Sequence, residues 1–315
     1  MDHKVALGID IGGTNTVYGL IDAKGAIYQQ GEIPTNSTQS VDHLIGRLYK
    51  SINEYLVKNS SMEMIGIGIG APNANRNTGM IDSPPNLDWE SFDIKAAFGD
   101  YFNQKTFVTN DANAAALGEK NYGIAKEMDD FVEITLGTGL GSGVFSGGAL
   151  VYGYSGFAGE VGHVCIDPNG RMCKCGKRGC LESYVSATGV KNTILEFLEN
   201  DPQDLLLNQL NSGNINGAII DFEYDKGNKT ARKIYQYTGQ KLGIGLAQVA
   251  AILSPEAFVF YGGFSNAGTR LLKYAKISME EQLLDCQKNT IRLLPSGLPQ
   301  GKAGILGAAS LVWEY

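Results

Sequence analysis

Three thiols and an imidazole are spaced along this sequence as metal ligands are. His163, Cys173, Cys175 and Cys180 read H-x9-C-x-C-x4-C. Thiolate sulfur and imidazole nitrogen are the soft donors that hold zinc in a tetrahedron. Gly176 and Gly179 let the loop bend so that its thiols converge. Cys173 and Cys175 are too close in sequence for an unstrained bridge to each other, so one shared metal suits the spacing better than a disulfide. The pattern predicts a structural Zn²⁺ site. Cys165 reads as a core thiol in a strand rather than a fifth ligand, and Cys286 as an inert thiol ending a helical stretch.

Two carboxylates flank this loop, Glu160 and Glu182. A metal that folds the loop also fixes both of them beside whatever binds there. Zinc on one nitrogen of His163 leaves the other for a hydrogen bond to a ligand hydroxyl. Asn110-Asp111 stands at a strand-to-helix junction. Either residue suits a helix N-cap, and Asp111 equally suits a general base taking the proton of a substrate hydroxyl. Asn110, Asp111, Glu160, His163 and Glu182 form a set suited to a polyhydroxylated ligand such as a sugar. The two glutamates also fit a reading as support for the metal ligands or as solvated residues. Trp89, Tyr152, Tyr154 and Phe157 read either as sugar-stacking rings or as packing residues.

Two glycine-threonine turns supply a different chemistry. Asp10-Ile11-Gly12-Gly13-Thr14-Asn15 closes an apolar strand, and Leu136-Gly137-Thr138-Gly139-Leu140-Gly141 closes another. Neither carries the lysine of a Walker-type phosphate loop, and the second precedes a strand rather than a helix, which excludes a Rossmann fingerprint. Backbone N–H groups in such turns can still face phosphate oxygens. Asp10, ionised at the end of an apolar strand, needs a partner, and a hydrated Mg²⁺ on nucleotide phosphates would serve. An ordinary hairpin turn is the competing reading. A third glycine pair, Gly262-Gly263, also ends a strand.

The elements that must position these residues alternate between strand and helix. Strands are expected at 4–11, 15–21, 26–33, 65–70, 106–109, 131–136, 142–146 and 257–261. Helices are expected at 41–57, 111–122, about 181–200, 230–253, near 266–284 and 303–313. The glycines of Gly66-Ile67-Gly68-Ile69-Gly70 and Gly243-Ile244-Gly245 read as packing positions, and 201–229 resists assignment. The strand-turn-strand pattern at 9–14 recurs at 134–139 as a weak internal repeat. Strand ends carrying glycine in an α/β pattern place sites at the turns.

Composition sets the outer limits. With 315 residues, 43% hydrophobic and 19% charged, the chain can build one large or two medium domains. A net charge of -7 repels a phosphate backbone, so nucleic acid is not the expected partner. No run approaches the roughly 18 apolar residues of a membrane span, and the N-terminus lacks the apolar stretch of a secretion signal. Clustered thiols fit a reducing cytoplasm.

Taken in order, these segments resemble the ROK family (repressors, open reading frames, kinases) of the sugar kinase and actin-like ATPase superfamily. The carriers are the two glycine-threonine turns, Asn110-Asp111-Ala112-Asn113-Ala114-Ala115, Gly159-Glu160-Val161-Gly162-His163, the cysteine loop running on through Gly179-Cys180-Leu181-Glu182, and Gly262-Gly263. The match covers almost the whole chain. It implies a two-lobed actin-like (ribonuclease H-like) α/β fold with a ligand cleft between the lobes and a zinc loop at 163–180. The expected lobes are 1–111 plus 302–315, and 112–301. It implies ATP and Mg²⁺ as phosphoryl donor and metal, and Asp111 as catalytic base. Asn110, Asp111, Glu160, His163 and Glu182 would hold sugar hydroxyls, with His163 also on zinc. Asp10, Gly12, Gly13, Thr14, Asn15, Gly137, Thr138 and Gly139 would face the phosphates and their metal, and Gly262 and Gly263 the adenosine. The implied reaction is phosphorylation of a hexose, with glucose at its 6-hydroxyl the leading expectation. An N-acetylhexosamine kinase and a non-catalytic sugar-sensing regulator are the alternatives. Family repressors carry an N-terminal DNA-binding segment, and a first turn that begins at Asp10 leaves no room for one. The resemblance also implies a homodimer. Many members have Ala-Pro-Gly where this chain has Ala71-Pro72-Asn73, so Asn73 is a candidate for altered sugar preference.

Overall fold

The apolar run near the N-terminus becomes the centre of a sheet, as burial along nearly its whole length requires. The computed structural model describes residues 3–85, 87–212 and 217–313. The outermost residues of the expected first lobe, 1–2 and 314–315, lie outside the described residues. Strands β1 (His3–Ile11), β2 (Asn15–Ile21) and β3 (Ile27–Pro34) form antiparallel hairpins. Strands β4 (Met62–Ala71) and β7 (Thr106–Asn110) add to β1 in parallel, giving the order β3-β2-β1-β4-β7. Between them β5 (Met80–Ile81) and β6 (Phe92–Asp93) make a separate ribbon.

The second sheet repeats this design. Strands β8 (Phe131–Leu136), β9 (Leu140–Ser146) and β10 (Ala149–Leu150) are antiparallel, and β11 (Ala257–Tyr261) and β12 (Arg292–Pro295) join β8 in parallel. Its order, β10-β9-β8-β11-β12, is that of the first sheet strand for strand. The weak repeat in the sequence is therefore a repeated sheet, with each glycine-threonine turn joining the first two strands of its half.

Helices cover the faces. Helix α1 (Val41–Lys58) buries Leu44, Ile45, Leu48 and Ile52, and Ser40 caps it by accepting from the His43 amide at 3.4 Å. Helix α2 (Ile94–Gly99), unforeseen in the sequence, adds Ile94 and Phe98 to the same core. Helix α3 (Asp111–Tyr122) and helix α10 (Ala303–Trp313) lie at the junction of the two sheets. Their contacts are backbone-close. A Cβ on Gly307 would stand 1.6 Å from the Ala114 carbonyl oxygen, and one on Gly68 would stand 1.7 Å from that of Ala308. Only glycine admits this approach, so the glycines of β4 are packing positions, as expected. Buried Glu119 of α3 accepts from the amides of Ile124 at 3.0 Å and Gly297 at 3.3 Å, tying α3 to the loop ahead of α10.

The second core lies under α4 (Glu182–Val185), α5 (Ala187–Asn200), α6 (Leu205–Ser212), α7 (Gly217–Asp225), α8 (Lys229–Leu253) and α9 (Thr269–Glu280). Several expectations need correction. The helix expected over 181–200 is two helices, broken at Ser186, which is extended at φ -72 and ψ 168. Its hydroxyl then accepts from the Gly189 amide at 3.1 Å and so caps α5. The helix expected near 266–284 starts only at Thr269, because Gly262 and Gly268 take positive φ and leave a short 3-10 turn between them. Residues 201–229 contain α6 and α7, with 213–216 outside the described residues. Cys165 is exposed, not a core thiol: among the described residues its ladder contact is an isolated bridge to Cys180, and its sulfur lies 3.6 Å from the Arg178 carbonyl. Cys286 is exposed beyond the end of α9 rather than at a helix end.

Candidate active site

The ends of β1, β7 and β8 converge on one cleft of about 390 Å³. From the first turn it receives Asp10 and Gly12, and from the second Gly137, Thr138 and Gly139. Asn110 and Asp111 reach it from the β7–α3 junction, and Glu160, His163 and Glu182 from the loop side. Gly13, Thr14 and Asn15 stand exposed and do not line the cavity. Asn15 donates instead to the Glu32 carboxylate. Gly262 and Gly263 are also not among its lining residues. Of the four aromatics, none lines it. Trp89 donates its indole N–H to the Gln39 carbonyl at 2.8 Å, and Arg76 lies over the Tyr152 ring.

Asn110 caps α3, accepting from the Ala112 amide at 2.9 Å, and the Asp111 carboxylate shares that donor at 2.9 Å. The capping and the functional readings of this pair are thus compatible: the cap orients both side chains at the cleft floor. Burial raises the pKa of Asp111, while the Ala112 amide and other local donors oppose the rise. Burial, and then the charge of Asp111, raise Asp10 to about 7. Glu160 opens to the cleft. Desolvation raises its pKa, His163 opposes this, and the charges of Asp111 and Glu182 add to it. Among the described residues lining the cleft there is no lysine or arginine. Crowded carboxylates without a protein cation suit hydroxyl donors and a divalent metal.

The four soft donors converge. The Cys175 and Cys180 sulfurs are 3.6 Å apart, Cys173 sulfur is 3.8 Å from His163 Nδ1, and all four atoms lie within 4.8 Å of one another. A tetrahedron with metal–sulfur bonds of about 2.3 Å has edges of about 3.8 Å, so the set fits one zinc ion. Glu182 couples this cluster to the second turn. Its Oε1 lies 3.8 Å from the Cys173 sulfur, and its Oε2 accepts from the Leu140 amide at 2.8 Å. The break at Ser186 adds further ties: the Ala187 amide donates to the Gly137 carbonyl at 2.9 Å, and the Thr188 hydroxyl to that of Thr138 at 2.9 Å.

Asn73 occupies φ 53, and its Nδ2 donates to the carbonyls of Asp82 at 2.9 Å and Ser83 at 3.3 Å. Asparagine tolerates this left-handed region better than most residues, so it keeps the backbone that a glycine would give. Three lining residues went unread in the sequence. Tyr261 ends β11 beside Asp10, and Gly304 lies under the Asp10 carboxylate. The Ser142 hydroxyl donates to the Gly159 carbonyl and accepts from the Val161 amide at 3.1 Å, pinning the segment that carries Glu160. Tyr261 directly precedes the Gly262-Gly263 signal, but a lone serine inside β9 gives none.

A family model described as ROK family matches residues 6–314. The chain belongs to the ROK family. It is similar to the glucokinase of Halalkalibacterium halodurans, at 32% identity over 99% of this chain and 96% of that protein. It is also similar to the xylose repressor of Bacillus subtilis, at 32% identity over 98% of this chain and 77% of that protein. A solved ROK family glucokinase from Streptomyces griseus, in complex with glucose and AMPPNP, superposes with a TM-score of 0.82 at 29% identity, over 99% of this chain and 100% of that one. The ROK fold of this chain is the two-lobed actin-like α/β architecture that the resemblance implied.

Proposed function

We propose that this ROK protein is a sugar kinase that moves the γ-phosphoryl group of ATP to a hexose, with glucose at its 6-hydroxyl as the preferred acceptor. One observation carries the reading: a single cleft gathers Asp111, Asp10 and Gly12 of the first turn, Gly137, Thr138 and Gly139 of the second, and the Glu160, His163, Glu182 set. The similarity to glucokinases along the whole chain supports it.

Asn110, Glu160, His163 and Glu182 bind and orient the ring hydroxyls. Asp111 accepts the proton of the acceptor hydroxyl as its oxygen attacks the γ-phosphorus in line. Its raised pKa brings it closer to neutral, which suits a base that must hold the proton it takes. Gly12, Thr138 and Gly139 present backbone to the phosphates, and Gly262 with Gly263 lies toward the adenosine. When bound beside Asp10, Mg²⁺ supplies positive charge against the phosphate oxygens. Zn²⁺ on His163, Cys173, Cys175 and Cys180 is structural, with no position left for water.

The lobes follow the same reading: 1–111 with 302–315 on one side, 112–301 on the other, closing about α3 and α10. Family resemblance supports a homodimer, which light scattering would test. The clustered free thiols support a cytoplasmic setting. No described helix is long and apolar enough to cross a membrane.

The decisive experiment ranks hexoses and N-acetylhexosamines by kcat/KM with Mg-ATP in a coupled ADP-release assay. Glucose leading the series is the expected result. An N-acetylhexosamine in first place would move the assignment to that class. The similarity to a xylose repressor favours one second reading, a sugar-binding regulator. Sugar binding without ADP release from any acceptor would establish it.

A further inference from the structure

Three consecutive residues of the loop after β4 reach across to the loop after β10. Asn75 Nδ2 donates to the Ser155 carbonyl at 2.8 Å, and Asn77 Nδ2 to the Tyr154 carbonyl at 3.3 Å. Between them the Arg76 guanidinium lies 4.5 Å from the centre of the Tyr152 ring. On the lobes proposed above, all three contacts cross from 1–111 to 112–301. Asn77 is exposed and Arg76 half-buried, whereas Asn75 is only 3% exposed.

The loop that carries Asn75 uses all of its polar groups except that amide nitrogen. The Asn75 N–H donates to the Met80 carbonyl of β5 at 2.8 Å, and its carbonyl accepts from the Gly79 amide at 2.9 Å. Its Oδ1 accepts from the Asn77 amide at 2.9 Å, which is an asparagine turn that aspartate makes as well. What the amide adds is one buried donor, and its partner lies 80 residues away. The receiving loop is shaped for this approach. Gly156 takes φ 83, and a Cβ there would stand 2.6 Å from Asn75 Oδ1. Glycine is what lets the two loops come so close.

Both loops lead into walls of the cleft. Pro72 and Asn73, just ahead of Asn75, line it from one lobe. The other loop folds back on itself, with the Ala158 amide donating to the Tyr152 carbonyl at 3.1 Å, and runs on into Glu160, which lines the cleft from the other lobe. Asn75 is not itself among the lining residues. We propose that Asn75 is a positioning residue of the sugar site: its bond to the Ser155 carbonyl holds the Pro72-Asn73 wall at a fixed distance from the Glu160 wall, and so sets sugar affinity without touching the sugar. The inference rests on the reading of this cleft as a hexose site. Asp111 is held by β7 and α3, and the phosphate turns follow β1 and β8. Neither tied loop belongs to those elements, so the loss of the bond falls on sugar binding rather than on nucleotide binding or the chemical step.

The test compares the parent with Asn75→Ala, Gly156→Ala and the double variant. Kinetics are measured on glucose and N-acetylglucosamine with Mg-ATP, binding of both sugars by calorimetry, and folding by circular dichroism. Each single variant should raise the sugar KM and dissociation constant at least about tenfold, with kcat and the KM for ATP within about threefold of the parent. The double variant should lose less than the product of the two single losses, because the methyl group added at 156 no longer meets the Asn75 side chain. Asn75→Asp keeps the turn and removes the donor, and at pH 8, where the carboxylate is ionised, it should repeat the loss should the alanine variant not fold. Parent-like sugar affinity in the folded Asn75 variants overturns the inference and leaves the kinase reading standing. Equal losses in sugar KM, ATP KM and kcat overturn it too, since a merely loosened fold gives that result. So do single losses that multiply in the double variant. A parent that binds sugar but releases no ADP overturns the kinase reading, and the dissociation constants then decide this inference alone. A parent that binds neither sugar overturns both.

Discussion

Gly304 lies so close to Asp10 that a Cβ on it would stand 2.3 Å from Asp10 Oδ2. Asp10 ends β1 of the first sheet, and Gly304 opens the first turn of α10, so the glycine decides where the carboxylate can sit. Alanine is the better helix former by about 1 kcal/mol, but the clash falls on the whole of a short side chain, with Asp10 Cγ at 2.6 Å and Cβ at 3.1 Å besides the oxygen. Gly304→Ala should therefore displace Asp10 at some loss of melting temperature, with the fold retained by circular dichroism. Titration with Mg-ATP is expected to show a dissociation constant at least tenfold higher. Parent-like affinity would remove Asp10 from the metal-nucleotide site.

Asp10 also predicts a pH dependence. Its folded pKa is about 7, raised by burial and by Asp111. A raised acid costs stability as pH climbs from its unfolded value near 4 through 7, and that contribution is fully absent below the unfolded value. A divalent cation needs the ionised form, so binding below pH 7 must first expel a proton. Apparent Mg-ATP affinity should fall about tenfold per pH unit below 7. Calorimetry in buffers of different ionisation enthalpy should report proton release that Asp10→Asn abolishes. Equal affinity and no proton release from pH 6 to 8 would contradict this.

Asp111 is assigned to the proton, not to sugar binding alone. Asp111→Asn keeps the size and a hydrogen-bonding side chain but removes the base. Loss of general-base catalysis costs about 10² to 10⁴ in rate. Turnover should drop by that order while glucose binding, read by tryptophan fluorescence or calorimetry, stays within a few fold. An Asn variant that turns over like the parent would reject the assignment.

On the proposed reading, the metal loop is linked to sugar binding through Glu182. With Oε1 beside the Cys173 sulfur and Oε2 on the Leu140 amide at 2.8 Å, this carboxylate is placed by the cluster on one side and the second turn on the other. Cys175→Ser should lower zinc content by elemental analysis and raise the KM for glucose at least tenfold, with a smaller effect on the KM for ATP. Zinc-free protein that binds glucose normally would break the link.

What the sequence made legible was local. The four soft donors of the cluster fall within one short stretch, so spacing pointed to them, whereas Asn110-Asp111 at its strand-to-helix junction read equally as a helix cap and took its role from the family resemblance. Each half of the repeated sheet left one turn in the sequence, but the matching strand order depends on pairings between distant segments. Ser142 and Gly304 left no mark for the same reason, since each acts on a residue brought to it by another element, while Tyr261 was marked only by the Gly262-Gly263 pair that follows it. The leucines of α6 are contiguous rather than helically spaced, and α2 is too short to show a period. The break at Ser186 depends on a cap that competes with helix continuation, and apolar periodicity does not register that competition.

Glu133 offers the last test, because nothing in the proposed chemistry uses it. It sits fully buried in the middle of β8, accepts from the Thr135 hydroxyl at 2.9 Å, and leaves its other oxygen without a partner. Burial raises its pKa well above the ordinary value. The Thr135 bond opposes this, and the charges of Glu119 and Asp111 add to it. In the unfolded chain the carboxyl ionises near pH 4.3. Above that pH the native protein holds a proton that the unfolded chain has released, so stability falls as pH rises towards the folded pKa. Each pH unit of that interval costs about 1.4 kcal/mol. Glu133→Gln keeps the shape and the acceptor for Thr135 but cannot ionise. It should match the parent at pH 4 and become the more stable protein by pH 8, as read by urea unfolding at both. A Gln variant that tracks the parent at both pH values would mean the native carboxyl ionises as freely as the unfolded one.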